Sequence, residues 1–120
     1  PHGGDWRNGT VQQGYELNVP LVAMAMEGNG KAKAGSFASV DAEHVLLDTL
    51  KKHEDTDAVI VRLYEGYGQR GDVTLTFAKA PKSVSLCDMM EENDQPVKFK
   101  GNEVPLYFTP YEIKSLKVTF

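Results

Sequence analysis

The chain has 120 residues, of which 41% are apolar and 25% charged, with a formal net charge of −4 at pH 7. This composition is that of an ordinary globular domain, and it excludes a disordered chain, a coiled coil and a collagen-like repeat. Its basic residues are isolated or in short pairs, and its longest apolar run is far shorter than the roughly 18 residues of a membrane span, so neither nucleic acid nor membrane is an expected partner.

The first 35 residues predict a lead-in segment with little regular structure. Near its start lies Trp6, which we expect to lean on a partner surface because an isolated tryptophan in a polar loop needs one. A short helix is expected at residues 11–17, before Pro20. The apolar run at residues 21–26 then predicts one buried strand.

From residue 36 onwards apolar and polar residues alternate, as on half-buried strands. The clearest case is residues 72–77, and the same alternation recurs at residues 59–65, 84–86, 97–99, 104–108 and 113–120. Turn signals separate these runs, and Gly101 with Asn102 predicts a tight hairpin. Strands spaced about eight to twelve residues apart predict a mainly β fold, an antiparallel β-sandwich of roughly seven to nine strands over residues 36–120.

Two places in this pattern are compatible with more than one structure. Pro105 has no N–H to donate to a ladder, so its strand is expected at a sheet edge or a bulge. Residues 44–53 suit both a short amphipathic helix and a strand. Their place between strands favours the strand, and the helix remains the alternative. We therefore expect residues 1–120 to form a single domain, cut from the end of a larger protein.

The residue types that carry chemistry are present but not in productive patterns. Zinc sites need three or four ligands, commonly in short-spaced pairs, and the three histidines have no such spacing with each other or with Cys87. The pairs Asp55–Asp57 and Glu91–Glu92 could in principle serve sugar hydrolysis, but they lie in acidic turns where solvated side chains are usual. No serine lies in a nucleophile-elbow context. We predict no catalytic residue and no metal ligand in this chain.

The glycine-rich residues 65–71 resemble a phosphate loop only superficially. No helix pattern follows them, and a phosphate loop needs one, so a hairpin loop is the better interpretation. Its tip combines an aromatic, an amide and a cation in Tyr67, Gln69 and Arg70. That mixture suits contacts to a sugar or to another domain.

Several phrases of the chain are specific to one family. Residues 1–7 (PHGGDWR) and 15–21 (YELNVPL) resemble the stretch that leads into the last sandwich of α-mannosidases of glycoside hydrolase family 38. Further phrases are similar in order and spacing, at residues 36–40, 45–51, 61–65, 87–91 and 110–116. Together they extend over nearly the whole chain. They most resemble the cytosolic and vacuolar branch of the family.

The resemblance implies a parent enzyme that removes terminal α-D-mannose residues from oligosaccharides with retention, using a divalent metal, usually zinc, and an aspartate nucleophile. In the family those groups belong to an N-terminal catalytic domain, so none is assigned to a residue here. This chain would be a noncatalytic C-terminal domain, without a cofactor and inactive alone. It would support the catalytic and central domains of its own parent chain and help to shape the groove for mannose-containing oligosaccharide. A cytoplasmic location is expected, with a vacuolar or lysosome-like compartment as the alternative; the lone Cys87 favours a reducing one.

Two groups of residues are candidates for this role. Tyr67, Gln69 and Arg70 are expected on a loop at the substrate groove, and His2, Asp5, Trp6 and Arg7 at an interdomain contact. An independent carbohydrate-binding or Ig-like interaction module remains the alternative. Surfaces that pack against other domains would be exposed in the separate chain, so a homo-oligomer is a further expectation.

Overall fold

The computed structural model describes residues 4–25, 27–28, 30 and 34–120. The chain forms two compact units, Pro1–Ala34 and Gly35–Phe120. The first unit contains helix α1, Thr10–Asn18, which follows Gly9 in the left-handed conformation (φ 83°). At its end the Val19 N–H donates to the Tyr15 carbonyl at 2.8 Å. The predicted short helix is confirmed, one residue longer at each end.

The strand predicted at residues 21–26 is wrong for its described part. Residues 21–25 have no strand assignment, and Leu21 and Val22 are 102% and 84% exposed. A strand needs a neighbour for its backbone N–H and C=O groups, and the described residues provide none for this run. Met26 lies outside the described residues.

The second unit contains eight strands among the residues that the structure describes. They are β1 Ala38–Val40, β2 Val45–Lys52, β3 Val59–Glu65, β4 Gly71–Phe77, β5 Ser83–Cys87, β6 Gln95–Pro96, β7 Glu103–Phe108 and β8 Ile113–Thr119. One sheet has the order β1-β4-β7 and the other β2-β3-β8-β5-β6, with every pairing antiparallel. The predicted antiparallel β-sandwich is confirmed.

The hydrophobic core is built from the alternating residues of the strands. On β4 the residues Val73, Leu75 and Phe77 are buried, and β7 and the strands of the other sheet supply the rest of the cluster. Full burial of such a side chain contributes about 1.5–3 kcal/mol. The core therefore fixes which face of each strand is left to carry other contacts.

Residues 45–52 form a strand, as favoured over the helix. β2 pairs with β3 and carries a register shift between Leu47 and Thr49, at Asp48. Pairing with a neighbouring strand outweighs local helix propensity, which is a weak preference at each residue.

The region around residues 95–108 confirms two predictions and corrects one. β7 lies at an edge of its sheet, so Pro105 is where a missing N–H is tolerated. Lys100 and Glu103 exchange two backbone hydrogen bonds of 3.0 Å around Gly101 (φ 60°), so the expected tight two-residue turn is present, closed by an isolated bridge and not by two paired strands. Residues 97–99 are not a strand. The Val97 N–H still bonds to the Val84 carbonyl of β5 at 2.9 Å, and the chain then crosses from that sheet to β7 in the other.

Candidate functional site

The carboxylate of Glu65 joins two loops at one end of the sandwich. Glu65 is the last residue of β3 and is 1% exposed. Its Oε1 accepts the Tyr67 N–H at 2.8 Å, and its Oε2 accepts the N–H groups of Gly68 at 2.8 Å and Tyr111 at 2.9 Å. The carboxylate thus holds the β3–β4 loop, residues 66–70, and the β7–β8 turn, residues 109–112.

The surroundings of Glu65 keep it ionised at neutral pH. Burial raises its pKa, but the backbone N–H groups of Tyr111, Gln69, Tyr67 and Gly68 lower it by more, and the net shift is downward. Hydrogen bonds to the charged form have this effect wherever several donors converge on one carboxylate. Because fixed backbone N–H groups stabilise the negative charge of Glu65, that charge does not depend on a neighbouring cation.

The β7–β8 turn has its own internal brace. Glu112 Oε2 accepts the Thr109 N–H at 2.7 Å and the Thr109 hydroxyl at 3.0 Å. Tyr111 adopts a left-handed backbone (φ 60°), which is costly for a residue with a side chain and persists where surrounding contacts enforce it. The bond from its N–H to Glu65 is such a contact.

The β3–β4 loop carries the predicted groove residues together. Tyr67 is half-buried, and Gln69 and Arg70 are exposed. Gly68 lies between them with φ 74°, and a Cβ atom there would come within 2.7 Å of the Tyr111 hydroxyl oxygen. The loop and the turn are therefore in close contact. Whether these side chains meet a substrate stays a prediction.

Beside this loop lies a cleft of about 440 Å³ on the outer face of the five-stranded sheet. Its lining includes Arg62 and Tyr64, which alternate with the core residues of β3. The other lining residues are Asp48, Leu63, Glu65, Gly66, Met89, Tyr111 and Ile113. Met89, Tyr111 and Ile113 are largely exposed apolar or aromatic side chains. The alternation of β3 indicates which of its residues face outward, but the convergence of four segments that are separate in the sequence could not be predicted from it.

One wall of the cleft is held by a charged network. Glu91 Oε1 lies 2.6 Å from Lys51 Nζ and 3.0 Å from Arg62 Nη2. Arg62 also donates to the Met89 carbonyl at 3.1 Å. Lys51 and Arg62 lower the pKa of Glu91 against a smaller upward effect of desolvation. The expectation that Glu91 is a solvated turn residue is wrong, because loop residues 88–94 fold back onto the sheet.

In the first unit, Asp5, Trp6 and Arg7 form a local cluster. The Arg7 N–H donates to Asp5 Oδ1 at 3.0 Å, and the Arg7 guanidinium lies 5.3 Å from the centre of the Trp6 ring. His2 lies outside the described residues. A contact of this cluster with another domain stays a prediction.

Neither a metal-ligand cluster nor a membrane-spanning helix occurs among the described residues. No group of three or more His, Cys, Asp or Glu side chains there could hold a metal ion. None of the helices there is long and apolar enough to cross a membrane.

Residues 44–116 match the family model of the C-terminal beta sandwich domain of glycosyl hydrolases family 38. This chain belongs to that family. The match includes Glu65, both loops that it holds and the cleft. The resemblance inferred from the sequence is thereby confirmed.

Similar proteins extend the match over the lead-in segment. The chain is 31% identical to alpha-mannosidase 2C1 of Homo sapiens and 30% identical to that of Mus musculus, over 122 residues in each case. It is 30% identical over 129 residues to alpha-mannosidase G of Dictyostelium discoideum. These alignments cover 97%, 97% and 98% of this chain but 12%, 12% and 11% of the relatives. The chain thus spans about one eighth of their length.

Proposed function

We propose that this family 38 C-terminal sandwich is a noncatalytic domain of an α-mannosidase that hydrolyses terminal α-D-mannose residues of oligosaccharides. Its role is to support the catalytic domain and to shape the substrate groove with residues 66–70. The observation that carries the proposal is the fixed loop, whose backbone is bound by Glu65 while Gln69 and Arg70 remain exposed. Such a loop presents polar side chains in a set direction before any ligand arrives.

The side chains of the loop suit a sugar. Arg70 offers several N–H donors in one plane, and Gln69 offers both a donor and an acceptor. A tyrosine ring such as Tyr67 adds an apolar face with a polar tip. Hydroxyl-rich ligands are held by this combination of directed polar groups and one aromatic surface. In the proposal these residues bind and orient mannose, and bond cleavage belongs to the catalytic domain.

The divalent metal of the family has no ligand set among the described residues. In the proposal the metal and the nucleophile belong to the catalytic domain.

The cleft is the proposed packing surface for the rest of the parent chain. Exposed apolar groups gathered on one surface mark contacts with other domains, and Met89, Tyr111 and Ile113 are gathered in this way. The relatives have most of their length outside the matched region, and in the proposal this remainder contains the catalytic and central domains that serve as partners. The Asp5–Trp6–Arg7 cluster is the second proposed contact. Because the separate chain exposes these surfaces, it is proposed to self-associate.

The test replaces Arg70 by Ala in the full-length enzyme. Loss of the guanidinium is expected to raise the KM for an α-mannoside several-fold or to lower kcat, because a group that orients substrate is gone. Lys79→Ala is the matched control, since it removes an exposed cation from the β4–β5 connection. Steady-state kinetics equal to the unaltered enzyme in Arg70→Ala would overturn the groove role.

An independent carbohydrate-binding module is the second candidate, favoured by one observation. Tyr111 is 65% exposed beside the cleft, and a stacking platform for a sugar needs such a ring. That module would bind mannose or mannobiose saturably as the separate 120-residue chain. The main proposal requires no saturable binding below millimolar ligand.

A cytoplasmic location is part of the main proposal, supported by the single cysteine, and a vacuolar or lysosome-like compartment is the alternative.

A further inference from the structure

Glu65 differs from the other carboxylates that bind backbone groups nearby. Glu112 accepts from Thr109, three residues away in its own turn, and Asp88 accepts from Met90 and Glu92 in its own loop. Glu65 accepts from Tyr67 and Gly68 in its own loop and also from Tyr111, 46 residues further along the chain. One carboxylate therefore sets the position of one loop relative to another.

We propose that Glu65 is the positioning residue of the groove loop: it fixes residues 66–70 against the 109–112 turn and so sets where Gln69 and Arg70 point. The inference rests on the proposed function, because it takes that loop as the one that meets substrate. Glu65 itself is 1% exposed, so the role proposed for it is positioning and not contact with substrate.

The contacts explain why the loop has so little room to move. The N–H groups of Tyr67 and Gly68 are both bound to Glu65, so the first half of the loop is held by its backbone. The Gly66 N–H is bound as well, to the His44 carbonyl at 2.9 Å. On the other side, the Tyr111 hydroxyl fills the space next to Gly68. Gln69 and Arg70 follow directly, just before β4 begins at Gly71.

The three hydrogen bonds to Glu65 require a carboxylate, and a neutral polar side chain of the same length cannot accept all of them. Both oxygens of Glu65 accept, and together they satisfy three N–H groups. A glutamine in the same position has one acceptor oxygen, and its NH₂ group would face at least one N–H donor. Either the Tyr67 bond or the bonds of Gly68 and Tyr111 are then lost, and a buried donor without a partner pushes the loop away.

The experiment compares Glu65→Gln with the unaltered full-length enzyme by steady-state kinetics and by backbone hydrogen exchange. Exchange is expected to accelerate at Tyr67, Gly68 and Tyr111, and the KM for an α-mannoside to rise on the order of tenfold as the groove side chains lose their direction. Asp41→Asn is the matched control. Its carboxylate also accepts a distant backbone N–H, that of Thr74 at 2.7 Å, but has no bond to the groove loop. The control is expected to leave KM within about twofold.

Glu65→Asp is the second variant, and it decides the matter if the glutamine variant does not fold. It keeps the charge and both oxygens but is one methylene shorter, so we expect the same changes at smaller size. Unchanged exchange at the three amides in both variants would contradict the claim that Glu65 holds the two loops together. Faster exchange with unchanged KM and kcat, in an enzyme where Arg70→Ala does raise KM, would overturn the positioning role and leave the proposed function intact. An Arg70→Ala variant without effect would overturn the groove role in the proposed function, and this inference with it.

Discussion

Gly68 and Tyr111 meet where the β3–β4 loop touches the β7–β8 turn, and both have a left-handed backbone, with φ of 74° and 60°. Glycine adopts this conformation without steric cost, whereas a side chain at the same φ adds strain. At Gly68 space is also limited, since a Cβ atom would lie 2.7 Å from the Tyr111 hydroxyl oxygen and 3.1 Å from its ring carbon, so the Tyr111 side chain would have to shift. The backbone conformation and this contact therefore both favour glycine at this position.

Gly68→Ala is predicted to lower the free energy of unfolding by about 1–3 kcal/mol. Urea denaturation of the 120-residue chain measures this. Gly71→Ala is the control, because its added Cβ meets nothing within 4 Å and its φ is not positive; it should change the free energy by less than about 0.5 kcal/mol. Combining Gly68→Ala with Tyr111→Phe should recover part of the loss. Equal values for the two alanine variants would contradict the close contact.

The residues of the site show how far sequence reasoning extends at this scale. Tyr67, Gln69 and Arg70 were found from loop composition, and they do share one loop tip. Glu65 was predicted only as the end of a strand. Its inward direction follows from the period of two, which places it on the same face of β3 as the buried Leu63. Its partner Tyr111 is 46 residues away, and no local pattern indicates that the two loops meet.

At the scale of elements, loop residues 88–94 cover part of a face that alternation alone would assign to solvent. Ile60 is 0% exposed, yet it is not a member of the core cluster between the sheets. Its register partners on either side are Lys51 and Lys117. These two lysines pair with Glu91 and Asp94 of the loop at 2.6 Å and 3.0 Å. Two ion pairs therefore straddle Ile60 and hold the loop across it.

Ile60→Ala is predicted to lower the free energy of unfolding by about 2–4 kcal/mol, as much as the same substitution in the main core. The reason is that the truncated side chain leaves a cavity under the loop that cannot fully collapse. Leu50→Ala is the control of similar size on the neighbouring strand, where the side chain is 46% exposed and should cost clearly less. Chemical denaturation of both variants checks this. A small effect at Ile60, comparable with that at Leu50, would show that the loop does not seal this face.

The elements themselves were largely predictable, for a physical reason that also explains the failures. Where one face of a strand meets the core, a period of two marks it, as on β3, β4 and β7. Residues 97–99 alternate too, and Val97 and Phe99 do pack against the core. After the Val97 N–H bonds to Val84, their backbone nevertheless crosses from one sheet to the other, so burial alternates where no strand forms. Periodicity reports which side chains are buried and not which backbone groups pair.

At the scale of the whole molecule, the second unit has its own core, whereas the described apolar residues of the first unit are mostly exposed. Leu17, Val19, Leu21, Val22 and Met24 all belong to this exposed set. The run at residues 21–25 has strand-like composition but no partner among the described residues, and this is why the predicted strand did not form. Composition indicates that a segment can form a strand, but the strand forms only when a neighbouring strand is present to pair with it.

Five carboxylates distributed over the second unit make its stability depend on pH. The pKa of each lies below its ordinary value: backbone donors lower it at Asp41 and Asp88, Lys51 lowers it at Glu91, and at Glu65 and Glu112 hydrogen bonds outweigh the upward effect of burial. Since these groups bind protons more weakly when folded than when unfolded, their stabilisation is complete above the ordinary carboxyl pKa of about 4 and is lost as pH falls through the lowered values.

Urea denaturation at pH 7, 5, 4 and 3 should therefore show a nearly constant contribution from these groups down to about pH 5 and a steep loss of unfolding free energy below it. Glu65→Gln removes one of the five titrations, so its profile should start lower at pH 7 and fall less between pH 5 and pH 3. A parallel profile for this variant would mean that the Glu65 charge contributes equally in the folded and unfolded chain. That outcome would contradict the three backbone bonds to its carboxylate, because those bonds favour the ionised form only in the fold.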